Sequence, residues 1–152
     1  DKPGAKFSKN FMKEIAVVYW SGTGNTKAMA EAVCEGVKAN GSNATLLTAD
    51  AFDASKVAAY DAIAFGCPSM GAEVLEEEEF EPMFQGVESS LQSKNIALFG
   101  SYGWGDGEWM RNWVERCTGV GANLVCESVI CNDYPDEDGL NACVELGKQI
   151  SA

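Results

Sequence analysis

The hexapeptide Ser21-Gly22-Thr23-Gly24-Asn25-Thr26 gathers hydrogen-bond donors in a stretch without bulk. Three hydroxyls and one side-chain amide stand among two glycines, whose small size lets successive backbone N–H groups turn toward one point. Placed between a strand and a helix, such a segment receives an anion. It holds no Lys or Arg, and the next base, Lys27, already belongs to the helical pattern that follows. Neutral donors suit one phosphate monoester better than a magnesium-bound triphosphate. The spacing is neither G-x-x-x-x-G-K-[ST] nor G-x-G-x-x-G, and no acid stands clearly where a dinucleotide ribose would need one.

Two other segments carry residues out of keeping with a core. Cys67-Pro68-Ser69-Met70-Gly71-Ala72-Glu73 places a methionine in a turn, and Ser101-Tyr102-Gly103-Trp104-Gly105-Asp106-Gly107 sets a tryptophan between glycines. A thioether and an indole displayed on neighbouring loops can sandwich a flat ring. Taken alone, Trp104 reads equally as a loop aromatic folded back onto the protein.

Composition narrows the chemistry further. There is no histidine, which removes the commonest general base, the commonest metal ligand and every Ser-His or Cys-His nucleophile. Chemistry carried by a bound cofactor needs none of these. Six cysteines are scattered without zinc or iron–sulfur spacing. An even number admits disulfides, but settings such as Leu124-Val125-Cys126 and Val129-Ile130-Cys131 favour buried free thiols in a reducing cytosol. With 23 acids against 11 bases the net charge is −12, which repels nucleic acid and anionic membranes and favours basic-faced partners. No apolar run approaches the roughly 18 residues of a membrane span.

These loops need elements to position them. A chain of 152 residues is the length of one domain. Residues 1–11 are polar and without periodicity, and read as an expression remnant or flexible tail before a native start at Met12, or as a linker from an upstream domain or anchor. From residue 12 onward, apolar runs alternate with amphipathic ones. Strands are expected at 15–20, 44–48, 62–65, 96–99 and 123–131. Helices are expected at 26–39, 80–91, 108–117 and 138–150, with a short one near 54–59. Five such strands separated by helices predict a parallel, doubly wound α/β sheet with helices on both faces. Ligands of such sheets bind beyond the carboxyl ends of the strands, which is where the three unusual segments fall.

Together, the hexapeptide at 21–26, Met70-Gly71 followed by Glu73, and Ser101-Tyr102-Gly103-Trp104-Gly105 resemble the short-chain flavodoxins of the clostridial type. The strings Val18-Tyr19-Trp20 and Leu98-Phe99-Gly100 match as well, and the resemblance runs from about Met12 to the end. It implies the strand order 2-1-3-4-5 with FMN bound without a covalent bond at the switch point. It also implies a low-potential one-electron carrier, cycling between semiquinone and hydroquinone. Its partners would be basic-faced redox proteins such as ferredoxin-type reductases and oxidoreductases, and it would act as a cytoplasmic monomer with no nucleic-acid partner and no membrane insertion. Two other functions share the fold: an FMN-dependent reductase of quinones or nitro compounds, and a binding module that has lost the flavin.

The resemblance also assigns roles. Ser21, Thr23, Asn25 and Thr26, with the amides of Gly22 and Gly24, would hold the phosphate. Met70 and Trp104 would cover the two faces of the ring, Glu73 would accept from flavin N3–H, and Ser101, Tyr102 and Gly103 would line the pyrimidine edge. Gly71 would turn its carbonyl toward N5–H, a rotation for which glycine is suited because it tolerates positive φ. Pro68 stands where some relatives place a phosphate-contacting serine, beside Ser69, and Ala72 replaces an acid or polar residue often found there. The acids Glu73, Glu76 to Glu79, Asp106 and Glu108 would oppose the second electron and steer a basic partner. The four-glutamate run also reads as a solvated helix start favoured by the dipole.

Overall fold

The computed structural model describes residues 12–152; the expectation for residues 1–11 lies outside them. The elements, in chain order, are β1 (Glu14–Tyr19), α1 (Asn25–Ala39), β2 (Asn43–Thr48), β3 (Ala62–Gly66), α2 (Phe80–Glu88), β4 (Asn95–Tyr102), α3 (Glu108–Gly119), β5 (Asn123–Leu124), β6 (Val129–Asn132) and α4 (Glu137–Ile150). The short helix expected near 54–59 is a 3₁₀ turn over Ala54–Ala59, preceded by another at Ala49–Ala51. The strands are parallel in the order β2-β1-β3-β4-β5, with β6 also paired to β4. This is the doubly wound sheet that the alternation of patterns predicted.

The two cores follow from the two-residue period of the strands. Ala16, Val18, Ile63, Phe65, Ile96 and Leu98 face α2 and α3, where Phe80, Phe84, Trp109 and Trp113 supply aromatic bulk. Ile15, Val17, Ala62, Ala64, Ala97 and Phe99 face α1 and α4, and meet Met29, Val33, Val37, Cys143, Leu146 and Ile150. Each fully buried large aliphatic or aromatic side chain contributes about 1.5–3 kcal/mol, so the strand ends are held by burial on both faces. Among the described residues, no helix is long and apolar enough to cross a membrane.

Three expectations change. The fifth strand is not continuous. Asn123 and Leu124 pair with Asn95 and Ile96, and pairing resumes with Val129 opposite Phe99, so this edge carries two more residues than β4 over the same span. An even excess keeps the face of each side chain, so the pattern of apolar residues gave no sign of the break. Cys126 consequently lies between strands and is only half-buried, while all six cysteines are free thiols. The fourth strand is longer than expected, because β6 pairs with Gly100, Ser101 and Tyr102 and draws them into the sheet. Finally, α2 ends at Glu88 rather than residue 91.

Candidate functional site

The carboxyl ends of β1, β3 and β4 are tied to one another before their loops diverge. Trp20 N donates to Gly66 O at 3.0 Å, Cys67 N to Phe99 O at 3.1 Å and Ser69 N to Ser101 O at 2.9 Å. The indole of Trp109 adds a bond to Cys67 O at 3.2 Å. Three loops therefore leave a rigid edge side by side.

The first loop is a nest of unused donors. The Gly24 N–H bonds to Ser21 Oγ at 3.0 Å, and the first helical bond of α1 is Ala28 N to Gly24 O. Among the described residues, the amides of Ser21, Gly22, Thr23, Asn25, Thr26 and Lys27 donate to no protein group. Ser21 Oγ accepts from Gly24 and keeps its own proton free to donate. Thr26 is only 1% exposed, and its hydroxyl stands 3.2 Å from Ser101 Oγ. That buried pair can spend one proton between its members and still offer another outward.

The nest opens onto a cleft of about 250 Å³ lined by Gly22, Thr23, Asn25, Met70, Tyr102 and Gly103, with Pro68, Ser69 and Ser101 on the same walls. Asp133, just beyond β6, and Trp20 also line it; neither was singled out in the sequence. Trp20 completes an apolar strand and looked like core. Asp133 enters because its N–H bonds Tyr102 O at 2.8 Å, a pairing visible only once β6 is aligned with β4.

Beyond the cleft, residues 70–74 form a miniature hairpin. Met70 and Val74 exchange backbone bonds of 2.8 and 2.9 Å around Gly71, Ala72 and Glu73. Gly71 has φ +50°, and the space where a Cβ would stand is open. Gly71 and Ala72, at the tip, are both exposed. Glu73 also has positive φ, and its carboxylate accepts from Glu108 N at 3.0 Å, capping α3. It passes so near Gly105 that a Cβ there would sit 2.6 Å from Cδ of Glu73. Glycine is required at 105 by this approach and by its φ of +88°. The turn after β3 and the loop after β4 are thus locked together, with Met70 partly exposed and Trp104 projecting at 66% exposure.

Charge gathers on two sides of this region. Glu73, Asp106 and Glu108 bring carboxylate oxygens within 4.8 Å of one another, but Asp106 already pairs with Arg111 at 3.0 Å. On the other side, the run Glu76–Glu79 is not uniform. Glu76 is 6% exposed and accepts from the amides of Glu78, Glu79 and Phe80 at 2.7–2.8 Å. Burial works to raise its pKa, but the three N–H groups outweigh it and hold the carboxyl below the usual glutamate range. So Glu76 departs from the expected solvated start: it is the internal cap of α2. Glu77, Glu78 and Glu79 are exposed, and Glu79 Oε1 accepts from Trp20 Nε1 at 2.9 Å.

A nest of free amide donors thus opens onto a cleft with Met70 on its wall, and negative charge flanks the region. The flavodoxin family profile matches residues 17–147. The chain is 42% identical to the flavodoxin of Clostridium beijerinckii over 90% of its own length and 99% of the relative's. It is also 42% identical to that of Megasphaera elsdenii over 88% and 96%. A solution structure of two-electron reduced M. elsdenii flavodoxin superposes with a TM-score of 0.83, covering 90% of this chain and 98% of that one. A flavodoxin from the domain Archaea, 27% identical, superposes at 0.79 over 91% and 96%.

Proposed function

The chain belongs to the flavodoxin family, whose members are FMN-binding electron carriers, and on that premise we propose how its own residues serve the role. It works as a low-potential carrier at the lower of the cofactor's two one-electron couples, as a monomer moving between basic-faced redox proteins. The six unpaired cysteines agree with a reducing, cytoplasmic setting.

The observation that carries this reading is the junction of unused amides at 21–27 with the cleft that ends at Met70 and Gly103. The residues fit FMN. The nest offers neutral donors for one phosphate, the buried Thr26–Ser101 pair offers an outward proton, and the cleft leads from there to the Met70 thioether and to Gly103, the neighbour of the exposed Trp104. Bound FMN supplies the redox chemistry, taking and releasing electrons singly.

Ser21, Gly22, Thr23, Gly24, Asn25 and Thr26 hold the phosphate end at the start of α1, where the helix dipole favours the anion. Pro68 has no donor to give, so Ser69 is the hydroxyl that the loop after β3 contributes at this wall. Met70 and Trp104 close on the ring from opposite loops. Tyr102 and Gly103, where β4 ends, fix its polar edge, while Ser101 keeps its hydroxyl with Thr26 at the phosphate end. Glu73 uses one oxygen to cap α3 and has another for the ring N–H. Gly71 and Ala72 present a peptide that can turn, because nothing crowds the Gly71 position. The exposed acids Glu77, Glu78 and Glu79 raise the cost of adding a second negative charge nearby.

Reconstitution tests the reading. Apoprotein should bind FMN far more tightly than riboflavin, with inorganic phosphate competing. Reductive titration should resolve two couples, and NADH or NADPH should support no turnover of quinones or nitroaromatics. Equal affinity for riboflavin and FMN would overturn the phosphate assignment, and steady reductase turnover would overturn the carrier.

A further inference from the structure

A second groove adjoins the cleft assigned to the cofactor and shares Trp20 and Met70 with it. It is about 550 Å³ and is lined by Trp20, Met70, Gly71, Val74, Glu77 and Glu78. It combines Val74 and Met70, two of the large hydrophobic side chains left exposed, with the exposed acids Glu77 and Glu78. Glu76, which also touches it, is committed to capping α2. Among the described residues, neither Glu77 nor Glu78 pairs with a basic side chain.

Trp20 is the hinge of this groove. Its indole N–H is held by Glu79 Oε1 at 2.9 Å, so the ring is fixed in orientation. An acceptor on the N–H also leaves the ring face richer in electron density, which strengthens its attraction for a cation. An electron-rich indole beside the exposed carboxylates of Glu77 and Glu78 matches a planar cation with a thin apolar edge. A guanidinium satisfies both, stacking on the ring while donating to carboxylates; an ammonium is more strongly hydrated and stacks less well.

We propose that this groove takes an arginine side chain of the redox partner. The proposal rests on the carrier reading and adds where the partner's cation sits. The other acidic cluster is the less open of the two, because Arg111 already occupies Asp106 and Glu73 is bonded to the Glu108 amide. The groove shares Met70 and Gly71 with the turn beside the cofactor cleft. An arginine seated there touches the same turn, so docking and the setting of the Gly71–Ala72 peptide are coupled.

The test uses the FMN-loaded protein at low salt, titrated with tetra-arginine amide, tetra-lysine amide and the neutral tetra-citrulline amide. Amide and indole resonances are followed by NMR. Tetra-arginine should move the Trp20 indole N–H and the Gly71 and Ala72 amides, tetra-lysine should bind several-fold more weakly, and tetra-citrulline should not bind. Two exposed charges are lost in E77Q/E78Q, which should weaken tetra-arginine by about fivefold. The charge-matched E35Q/E145Q, on the far helices, should leave it within about twofold. Shifts centred on Asp106 and Glu108, or equal weakening by both double variants, would overturn the groove. Failure to retain FMN would overturn the carrier reading instead, and would be plain from the absorption spectrum before any peptide is added.

Discussion

The Phe80 amide donates a 2.7 Å hydrogen bond to the carboxylate of Glu76, which lies four residues earlier and 6% exposed. With the amides of Glu78 and Glu79 on the same carboxylate, one acid answers two of the donors that the helix start leaves open and one from the turn before it. Phe80 is thereby delivered into the aromatic layer, stacked at 6.1 Å on Phe84 and edge-on to Trp113 at 5.4 Å.

Replacing Glu76 with Ala should therefore destabilise the fold by about 1–3 kcal/mol, since buried amides lose their acceptor. Urea denaturation of apoprotein measures this. The pH dependence has a definite sign. The folded-state pKa of Glu76 is depressed, so its stabilisation is complete above the usual carboxylate value of about 4.3 and is lost as pH falls through the folded pKa. The stability gap between wild type and Glu76→Gln should be constant from neutral pH to about pH 5 and shrink below it. A gap that widens on acidification would refute the capping role.

The same run shows where sequence reasoning reaches and where it stops. Four consecutive glutamates announced negative charge beside the site, and three of them stand exposed as expected. Nothing in the run marks its first member as the buried one, because its place is set by its own amide on Cys67 Sγ and by the three amides that its carboxylate receives. The cluster of free amides at 21–27 was legible because its donors are contiguous in the chain. Trp20 and Asp133 were not, since each reaches the cleft through a partner strand. The broken fifth strand escaped because two inserted residues preserve alternation.

Arg116 clasps the two helices that flank the turn. Its guanidinium bonds Glu81 at 2.8 and 3.0 Å and Glu88 at 2.7 and 2.9 Å, and lies over the Phe84 ring at 4.9 Å from the centroid. Lysine offers one point charge in place of this planar fork. Arg116→Lys should cost about 1 kcal/mol and Arg116→Ala about 2–4, because alanine strands two partly buried carboxylates. Thermal melts of the apoprotein decide it, and equal losses for the two variants would show that the fork geometry does not matter.

Gly71→Ala separates strain from crowding. The position has φ +50° and no neighbour within 4 Å of a Cβ, so the cost is the left-handed backbone alone, about 1 kcal/mol. Apoprotein stability should fall by that amount while FMN affinity in the oxidised state changes little. The two one-electron couples should move closer together, because the peptide turns less freely. Unchanged couples in a potentiometric titration would remove Gly71 from the redox role.

Trp104 offers the sharpest division between fold and function. It stands 66% exposed between Gly103 and Gly105, and it is absent from both hydrophobic cores. The core gains nothing from an indole placed there, so Trp104→Ala should leave apoprotein stability within about 0.5 kcal/mol of wild type. If the indole closes on the cofactor ring, the variant should lose about 1–3 kcal/mol of FMN binding, or roughly tenfold to a hundredfold in Kd. Met70→Ala should lose less, because the turn that carries it is set by its backbone bonds to Val74, which alanine keeps. Inorganic phosphate should bind both variants as it binds wild type, since neither side chain belongs to the nest. Fluorescence titration with FMN and calorimetry with phosphate give the two readings. A Trp104 variant that keeps full FMN affinity would place the indole outside the site, and the ring would then have only its Met70 face covered.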